Sequence, residues 1–328
     1  MKILWGDCRE TLLTLDASSV QCCITSPPYW GLRDYGTGAD QLGLDPLHDC
    51  LGWARGQLCG SCYVCHIVDC MRAVRSVLRE DGTLWLNLGD SYSTQKGEGK
   101  VPGGGRQGNR WKRINQPDFW QPNRAKVDGL KPKDLAGIPW RCALALQADG
   151  WYLRSDIIWS KPNKMPESVK DRPTLSHEYL FLFSQEQRYY YDHEAIKEEG
   201  VSHVYDKRYL GSTRDREGED WMLNGPVSGP HRGFKHNDSH QGRNRRSVWT
   251  LNTTPYHGAH FAVFPPSLVS LCIQAGSRPG DTVLDPFLGS GTVGMVANDL
   301  GREWIGCEIN REYEPLIERR TAQSSLGL

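Results

Sequence analysis

Residues 24–30 read Ile24-Thr25-Ser26-Pro27-Pro28-Tyr29-Trp30 and follow the strand-like run Val20-Gln21-Cys22-Cys23. The two prolines fix φ and remove two backbone donors, so the carbonyls of Ser26 and Pro27 lack a local ladder partner and can face a ligand. Together with the Ser26 hydroxyl they make a stiff row of acceptors, and Tyr29 sets a ring behind it. A base or amide lying against that ring would find an acceptor for each hydrogen of its NH2 group. A plain Pro-Pro turn after a strand accounts for the same residues, so a second stretch has to decide.

That stretch lies at the other end of the chain, where Asp285-Pro286-Phe287-Leu288-Gly289-Ser290-Gly291-Thr292 follows a short apolar strand around Val283 and Leu284. Glycines at the start of a helix let backbone N–H groups come close to a ligand. It is not a phosphate-binding P-loop, because Thr292 stands where that motif requires lysine. The next strand ends in Glu308, nineteen residues after Gly289, the position from which an acid accepts both hydroxyls of a ribose in nucleotide-binding units. A strand, a glycine loop and a distal acid specify a nucleoside without a pyrophosphate.

A third group is Cys50, Cys59, Cys62 and Cys65, spaced Cys-x8-Cys-x2-Cys-x2-Cys, with His48 and His66 beside them. Four thiolates at these steps can close on a tetrahedral zinc, structural rather than catalytic because no coordination position stays open; a cysteine-rich loop without metal is the alternative.

The elements that must hold these groups follow from periodicity. Residues 2–6 alternate as a strand, 9–15 carry helical spacing and 20–26 form the next strand, a β-α-β start that delivers the Ser-Pro-Pro-Tyr turn at a carboxyl end. Residues 67–78 predict an amphipathic helix stopped by Asp81-Gly82, and 83–88 a buried strand. Helices are expected over 134–147, 266–275 and 293–300, and strands over 151–160, 177–184 and 303–307. Between them the composition changes twice. Residues 94–133 hold ten Lys/Arg against three Asp/Glu, with Trp111, Phe119 and Trp120 interleaved, and 198–247 is polar and irregular, ending in a basic cluster. Such stretches suit a polyanion backbone, and they also suit solvated loops.

Composition sets outer limits. Lys+Arg 39 balances Asp+Glu 39, so no global field announces nucleic acid, and basic sites must come from local clustering. The 328 residues carry no apolar window long enough to span a membrane. Eleven cysteines, an odd number scattered through apolar strands and clustered around Cys59, fit reduced thiols and a cytoplasmic location.

With both end motifs in hand, the chain resembles the S-adenosylmethionine-dependent DNA amino-methyltransferases. Thr25-Ser26-Pro27-Pro28-Tyr29 is similar to that family's catalytic motif, and Asp285–Thr292 to its cofactor motif; catalytic motif first and cofactor motif last is the order of its β class. Leu4-Trp5-Gly6-Asp7, residues 79–87, the run from Gly150-Trp151 through Ile158–Asn163 and His260–Pro265 resemble further blocks.

The resemblance implies an α/β fold: a Rossmann-like methyltransferase sheet, mostly parallel with an antiparallel strand pair and a permuted motif order. Residues 1–197 and 248–328 are then the catalytic domain, with a basic insertion at 94–133 and a Cys-rich loop at 48–66, and 198–247 is a target-recognition segment. Ser26, Pro27, Pro28 and Tyr29 are the expected catalytic residues, with Trp30 as a wall of the base pocket. Asp7, Thr25, Asp285, Pro286, Phe287, Gly289, Ser290, Gly291, Thr292 and Glu308 are expected at the cofactor, Glu308 on the ribose, Asp7 on the adenine amino group and Asp285 at the methionine end. Arg243, Arg245, Arg246, Lys112 and Arg113 are the expected DNA contacts.

The implied reaction is methyl transfer to the exocyclic N4 of cytosine in double-stranded DNA, because Ser at the first motif position is usual for cytosine enzymes; adenine N6 is the alternative. Related enzymes that methylate RNA bases or a protein glutamine, and a non-catalytic DNA-binding module, are the rival classes. Double-stranded DNA and a second copy of the chain are the expected partners.

Overall fold

The computed structural model describes residues 1–31, 42–43, 45–47, 57–93, 129–164, 166–199, 242–253 and 264–322. His48, Cys50, Lys112, Arg113 and most of the basic insertion lie outside them. The described elements run β1 (Lys2–Trp5), α1 (Cys8–Thr11), β2 (Val20–Thr25), α2 (Tyr63–Val77), β3 (Leu78–Leu88), α3 (Ile138–Ala148), β4 (Tyr152–Ser160), β5 (His177–Ser184), β6 (Val248–Thr250), α4 (Pro266–Gly276), β7 (Thr282–Asp285), α5 (Thr292–Asp299), β8 (Glu303–Glu308) and α6 (Glu314–Thr321).

The strands form one sheet in the order β1-β8-β7-β2-β3-β5-β4-β6. Neighbours from β1 through β3 pair in parallel, β5 runs against both β3 and β4, and β4 and β6 are parallel again. Reversal of β5 alone therefore leaves the carboxyl ends of the other seven strands on one edge. This is the mostly parallel α/β sheet expected from the sequence.

Alternation sorts the side chains between two cores. Cys23, Leu84, Leu86, Leu284 and Cys307 are buried in one cluster with α1, α2 and α3. Their sequence neighbours Cys22 and Trp85 lie on the opposite face beneath α4, where Gly276 is required because a Cβ there would sit 2.6 Å from the Cys22 sulfur. No helix among the described residues is long and apolar enough to cross a membrane.

Several boundaries differ from the expectation, each for a local reason. α2 begins at Tyr63, with extended Cys62 as its cap, so Cys65 is helical. That helix ends before Asp81-Gly82: residue 78 already pairs with Val20 in β3, and the register shifts before Cys22 meets Thr83. α3 starts at Ile138 because Asp134 and Ala136 are hydrogen-bonded to Ser93 and Ser91 instead, and the Asp90 carboxylate accepts from the N–H groups of Gly137 and Ile138. β6 and α6 had no periodic signal.

A second compact unit spans His193–Arg245, against Met1–Asp192 with Arg246–Leu328 for the first. In its described part Glu198 and Arg243 pair as an antiparallel bridge.

Candidate active site at the carboxyl edge of the sheet

The two end motifs meet. β2 and β7 are adjacent and parallel, Cys22 opposite Val283 and Cys23 opposite Leu284, so Thr25 and Asp285 emerge side by side. The Thr25 hydroxyl donates to Asp285 Oδ1 at 2.8 Å, across 260 residues of sequence. Phe287 N donates to the same oxygen at 3.0 Å. Burial pushes the Asp285 carboxyl up to about 7, against the pull of these two donors.

The glycine loop is held by Glu308. Its Oε2 accepts from Gly289 N and its Oε1 from Asn310 N, both at 2.8 Å, which fixes a carboxylate that retains further lone pairs for hydroxyl donors. Burial raises the Glu308 pKa above the ordinary carboxylate value. Gly289 and Gly291 take φ of +52° and +82°, a left-handed conformation that side chains rarely adopt. Beneath the loop, Arg320 donates to the Ser290 hydroxyl, which lies 3.5 Å from that of Thr292; both hydroxyl residues are buried. Thr25, fully buried, and these two residues thus shape the loop from behind. Asp7, at the end of β1, is gripped by the Arg9 guanidinium, and the same residue's backbone N–H also bonds it. Pro286 and Phe287 lie in the turn directly after β7, with Phe287 partly exposed.

On the other side of the crevice, the Tyr29 hydroxyl lies 2.8 Å from both Asn87 Oδ1 and Glu178 Oε2. Asn87 is oriented by donating its amide to the Tyr179 carbonyl. Lys161 is bonded to the second Glu178 oxygen, with its ammonium 3.9 Å from the Trp159 ring centroid. The phenol is thus held by Asn87 and Glu178, with a further hydrogen bond to the Ser26 side chain, and the lysine holds the charge of the carboxylate. Gly89 abuts the Tyr29 ring: a Cβ there would fall 2.6 Å from Cε2. Gly89→Ala should therefore displace the ring and lower kcat for methyl transfer about tenfold or more, with cofactor affinity unchanged by calorimetry; an unaltered kcat would free the ring of any role.

The Pro28 carbonyl accepts from the Tyr63 hydroxyl at 2.9 Å, and the Ser26 side chain shares a hydrogen bond with Tyr29. Trp30 does not line a base pocket. It is 2 % exposed, and its indole donates to the Asp45 carbonyl, so it anchors the loop from below.

Cys59, Cys62 and Cys65 bring their sulfurs within 4.8 Å of one another, with Cys59 exposed and the other two buried. Cys50, the fourth expected ligand, lies outside the described residues. Arg243 is paired through Nε with Glu198 at 2.8 Å, and Arg245 donates to the Ile196 carbonyl; Arg246 is exposed. Sequence reasoning missed Asn87, Lys161, Glu178 and Tyr63. The Lys161 and Glu178 pair carried one signal, Glu178 at the start of the otherwise apolar run of β5.

A glycine loop fixed by a buried acid, beside a Ser-Pro-Pro-Tyr turn at the carboxyl ends of adjacent parallel strands, is the arrangement in which open α/β sheets bind nucleosides for group transfer. Comparison with known proteins is specific. A family model described as DNA methylase, covering the N6 and N4 enzymes, matches residues 20–319. The type II methyltransferase M.SmaI of Serratia marcescens is 46% identical over 319 residues, 97% of this chain and 90% of that one. M.Cfr9I of Citrobacter freundii is 43% identical over 96% of this chain and 85% of its own. Among solved structures, the PvuII DNA methyltransferase (cytosine-N4-specific) shares the fold at a TM-score of 0.59 and 18% identity, covering 98% of this chain and 86% of that one. The M1.HpyAVI complex with SAM does so at 0.51 and 16%, over 98% and 99% of the two chains. The chain belongs to the N6/N4 DNA methylase family and is an S-adenosylmethionine-dependent DNA methyltransferase.

Proposed function

We propose that the chain methylates the exocyclic N4 of cytosine in double-stranded DNA, as a modification enzyme of the type II kind its relatives are named for. The observation that carries this reading is Ser26 beside the Pro27 carbonyl, one residue beyond the Thr25 hydroxyl that is bonded to Asp285. A serine hydroxyl accepts one amine hydrogen and can also donate to a ring acceptor, which suits cytosine N3 next to its amine.

The residues of the cradle fit the cofactor: a glycine loop with left-handed turns, a fixed buried Glu308 for a ribose, and Asp285 for a cationic end. Asp7 would take the adenine amino group while keeping Arg9, and Phe287 would line the pocket. Bound there, S-adenosylmethionine supplies an electrophilic methyl group. The chain's own residues do the rest. Ser26 and the Pro27 carbonyl accept the hydrogens of an amine whose lone pair is delocalised into its ring, favouring a pyramidal nitrogen with the pair directed at the methyl. The target base must leave the duplex to reach them, and Tyr29, held by Asn87 and Glu178, offers a ring already fixed for stacking.

We assign target recognition to residues 198–247. Arg243, Arg245 and the exposed Arg246 would contact phosphate there, with Lys112 and Arg113 of the basic insertion as further contacts. Lys164 and Lys170, exposed in the loop between β4 and β5 on the active edge, add to them. A structural zinc at Cys59, Cys62 and Cys65, with Cys50 as fourth ligand, completes the reading. None of the ten described cysteines is in a disulfide, in keeping with a reducing cytoplasm.

Digestion of treated DNA to nucleosides and mass analysis tests the base. N4-methyldeoxycytidine is the expected product, and N6-methyldeoxyadenosine alone would overturn the assignment.

A further inference from the structure

The cysteine cluster and the Ser-Pro-Pro-Tyr loop are joined through the first turn of α2, and we propose that metal bound by Cys59, Cys62 and Cys65 positions the acceptors for the target base. The inference rests on the structural-zinc reading above and gives that metal a task in the reaction.

The cluster has the chemistry of a metal knuckle. Its three sulfurs lie within 4.8 Å of one another, close to the roughly 3.8 Å that tetrahedral thiolates at about 2.3 Å from zinc require, so a small contraction suffices. The Cys59 N–H points at the Cys65 sulfur at 3.4 Å, and the Ser61 hydroxyl at the Cys59 sulfur at 3.6 Å, the outer hydrogen bonds that steady metal thiolates.

The same turn grips the loop at two points. Cys62 caps α2, and the next residue, Tyr63, is fully buried. Tyr63 donates its backbone N–H to the Pro46 carbonyl at 3.1 Å and its hydroxyl to the Pro28 carbonyl at 2.9 Å. His66, which follows Cys65, places Nδ1 2.9 Å from Asp45 Oδ1. Asp45 in turn accepts from the Trp30 indole through its carbonyl and from Gly43 N through Oδ2, and the Gly43 carbonyl accepts from Gly31 N. Pro28, Trp30 and Gly31 are thereby tied to residues that lie one position after two of the cysteines.

The consequence is specific to one half of the site. The cofactor cradle hangs on β7, β8 and Glu308, and none of its described hydrogen bonds involves α2. Ser26 and Pro27, by contrast, sit one or two residues before the carbonyl that Tyr63 holds. Metal occupancy should govern the methyl-acceptor side and leave the donor side alone.

The test uses the full chain as purified. Elemental analysis should find about one zinc per chain, and cobalt substitution should give an intense thiolate-to-metal absorption band. Stripping the metal, or Cys62→Ser, should lower the single-turnover rate on DNA about tenfold or more while calorimetric affinity for S-adenosylmethionine holds. Tyr63→Phe should keep the zinc and lower the same rate several-fold, the loss of one hydrogen bond. Absence of metal and of the cobalt band would remove the site itself. Full zinc with unchanged rates in both the stripped and Tyr63→Phe proteins would leave the metal structural and overturn the coupling. Equal loss of cofactor affinity on stripping would also overturn it, by making the metal a global fold determinant. None of these readouts depends on which base is methylated, so they stand apart from the test of the cytosine assignment.

Discussion

Ser26→Ala is expected to lower the single-turnover rate of methyl transfer by about a hundredfold to a thousandfold, the range seen when one preorganised polar group is removed from an active site. The fold should survive, because the side chain is small and the adjacent anchor, Thr25 to Asp285 at 2.8 Å, is untouched. Affinity for S-adenosylmethionine should stay within about twofold, since the cradle residues that bond Gly289 and Phe287 lie on β7 and β8. The loss belongs in kcat, because the hydrogens of the amine are gripped most strongly once the nitrogen has become pyramidal. Ser26→Asp sharpens the test: a carboxylate still accepts the amine hydrogens but cannot donate to a ring nitrogen, so part of the rate should return. Retention of full activity in Ser26→Ala would remove the amine-acceptor role from that residue.

What could be read from the sequence and what could not divides by the distance over which each feature is specified. β5 appears at His177–Ser184, as expected, because its apolar run is bounded by polar residues and its pattern is local. The crevice was legible because each motif sits at the end of its own strand, and parallel pairing brings such ends together whatever their order in the chain. The support for Tyr29 was not legible. Asn87, Lys161 and Glu178 come from β3, from the turn after β4 and from β5, and only the antiparallel placement of β5, with Leu88 opposite Tyr179, brings Asn87 and Glu178 to one phenol and Lys161 to Glu178. Trp30 was misread because an aromatic beside a catalytic turn suggests a base wall, whereas its indole N–H found a buried carbonyl. The three-residue β6 gave no periodic signal at all; its burial comes from Trp249 packing against Trp85, a contact between distant residues. Arg243 shows the limit of charge counting, since an apparent basic cluster is partly answered by Glu198, 45 residues away.

Asp285 is expected to make cofactor binding depend on pH. Its carboxyl is carried from an ordinary value of 3.8 up to about 7 by burial, with the Thr25 and Phe287 donors opposing and the Glu308 charge adding to the rise. A carboxyl raised in this way holds its proton more tightly folded than unfolded, so between about 4 and 7 the folded chain carries the extra proton. Its contribution to stability is then greatest at low pH and falls as the pH climbs through that window. A cationic ligand end placed against Asp285 has the opposite preference, because it favours the ionised form. Affinity for S-adenosylmethionine should therefore increase as pH rises toward 7 and level off above it, with uptake of ligand releasing close to one proton per site near pH 6. Calorimetry in two buffers of different ionisation enthalpy measures that proton directly. Asp285→Asn should abolish the release, flatten the profile and weaken binding about a hundredfold, while the substituted amide can still accept from Thr25 and Phe287 and so keep β7 and β2 joined. An affinity that ignores pH from 5 to 8 in the parent chain would move the cationic end of the ligand away from this carboxyl, whereas a proton released just as readily by Asp285→Asn would assign the pH response to Glu308, the other buried acid of the cradle, whose pKa burial also raises.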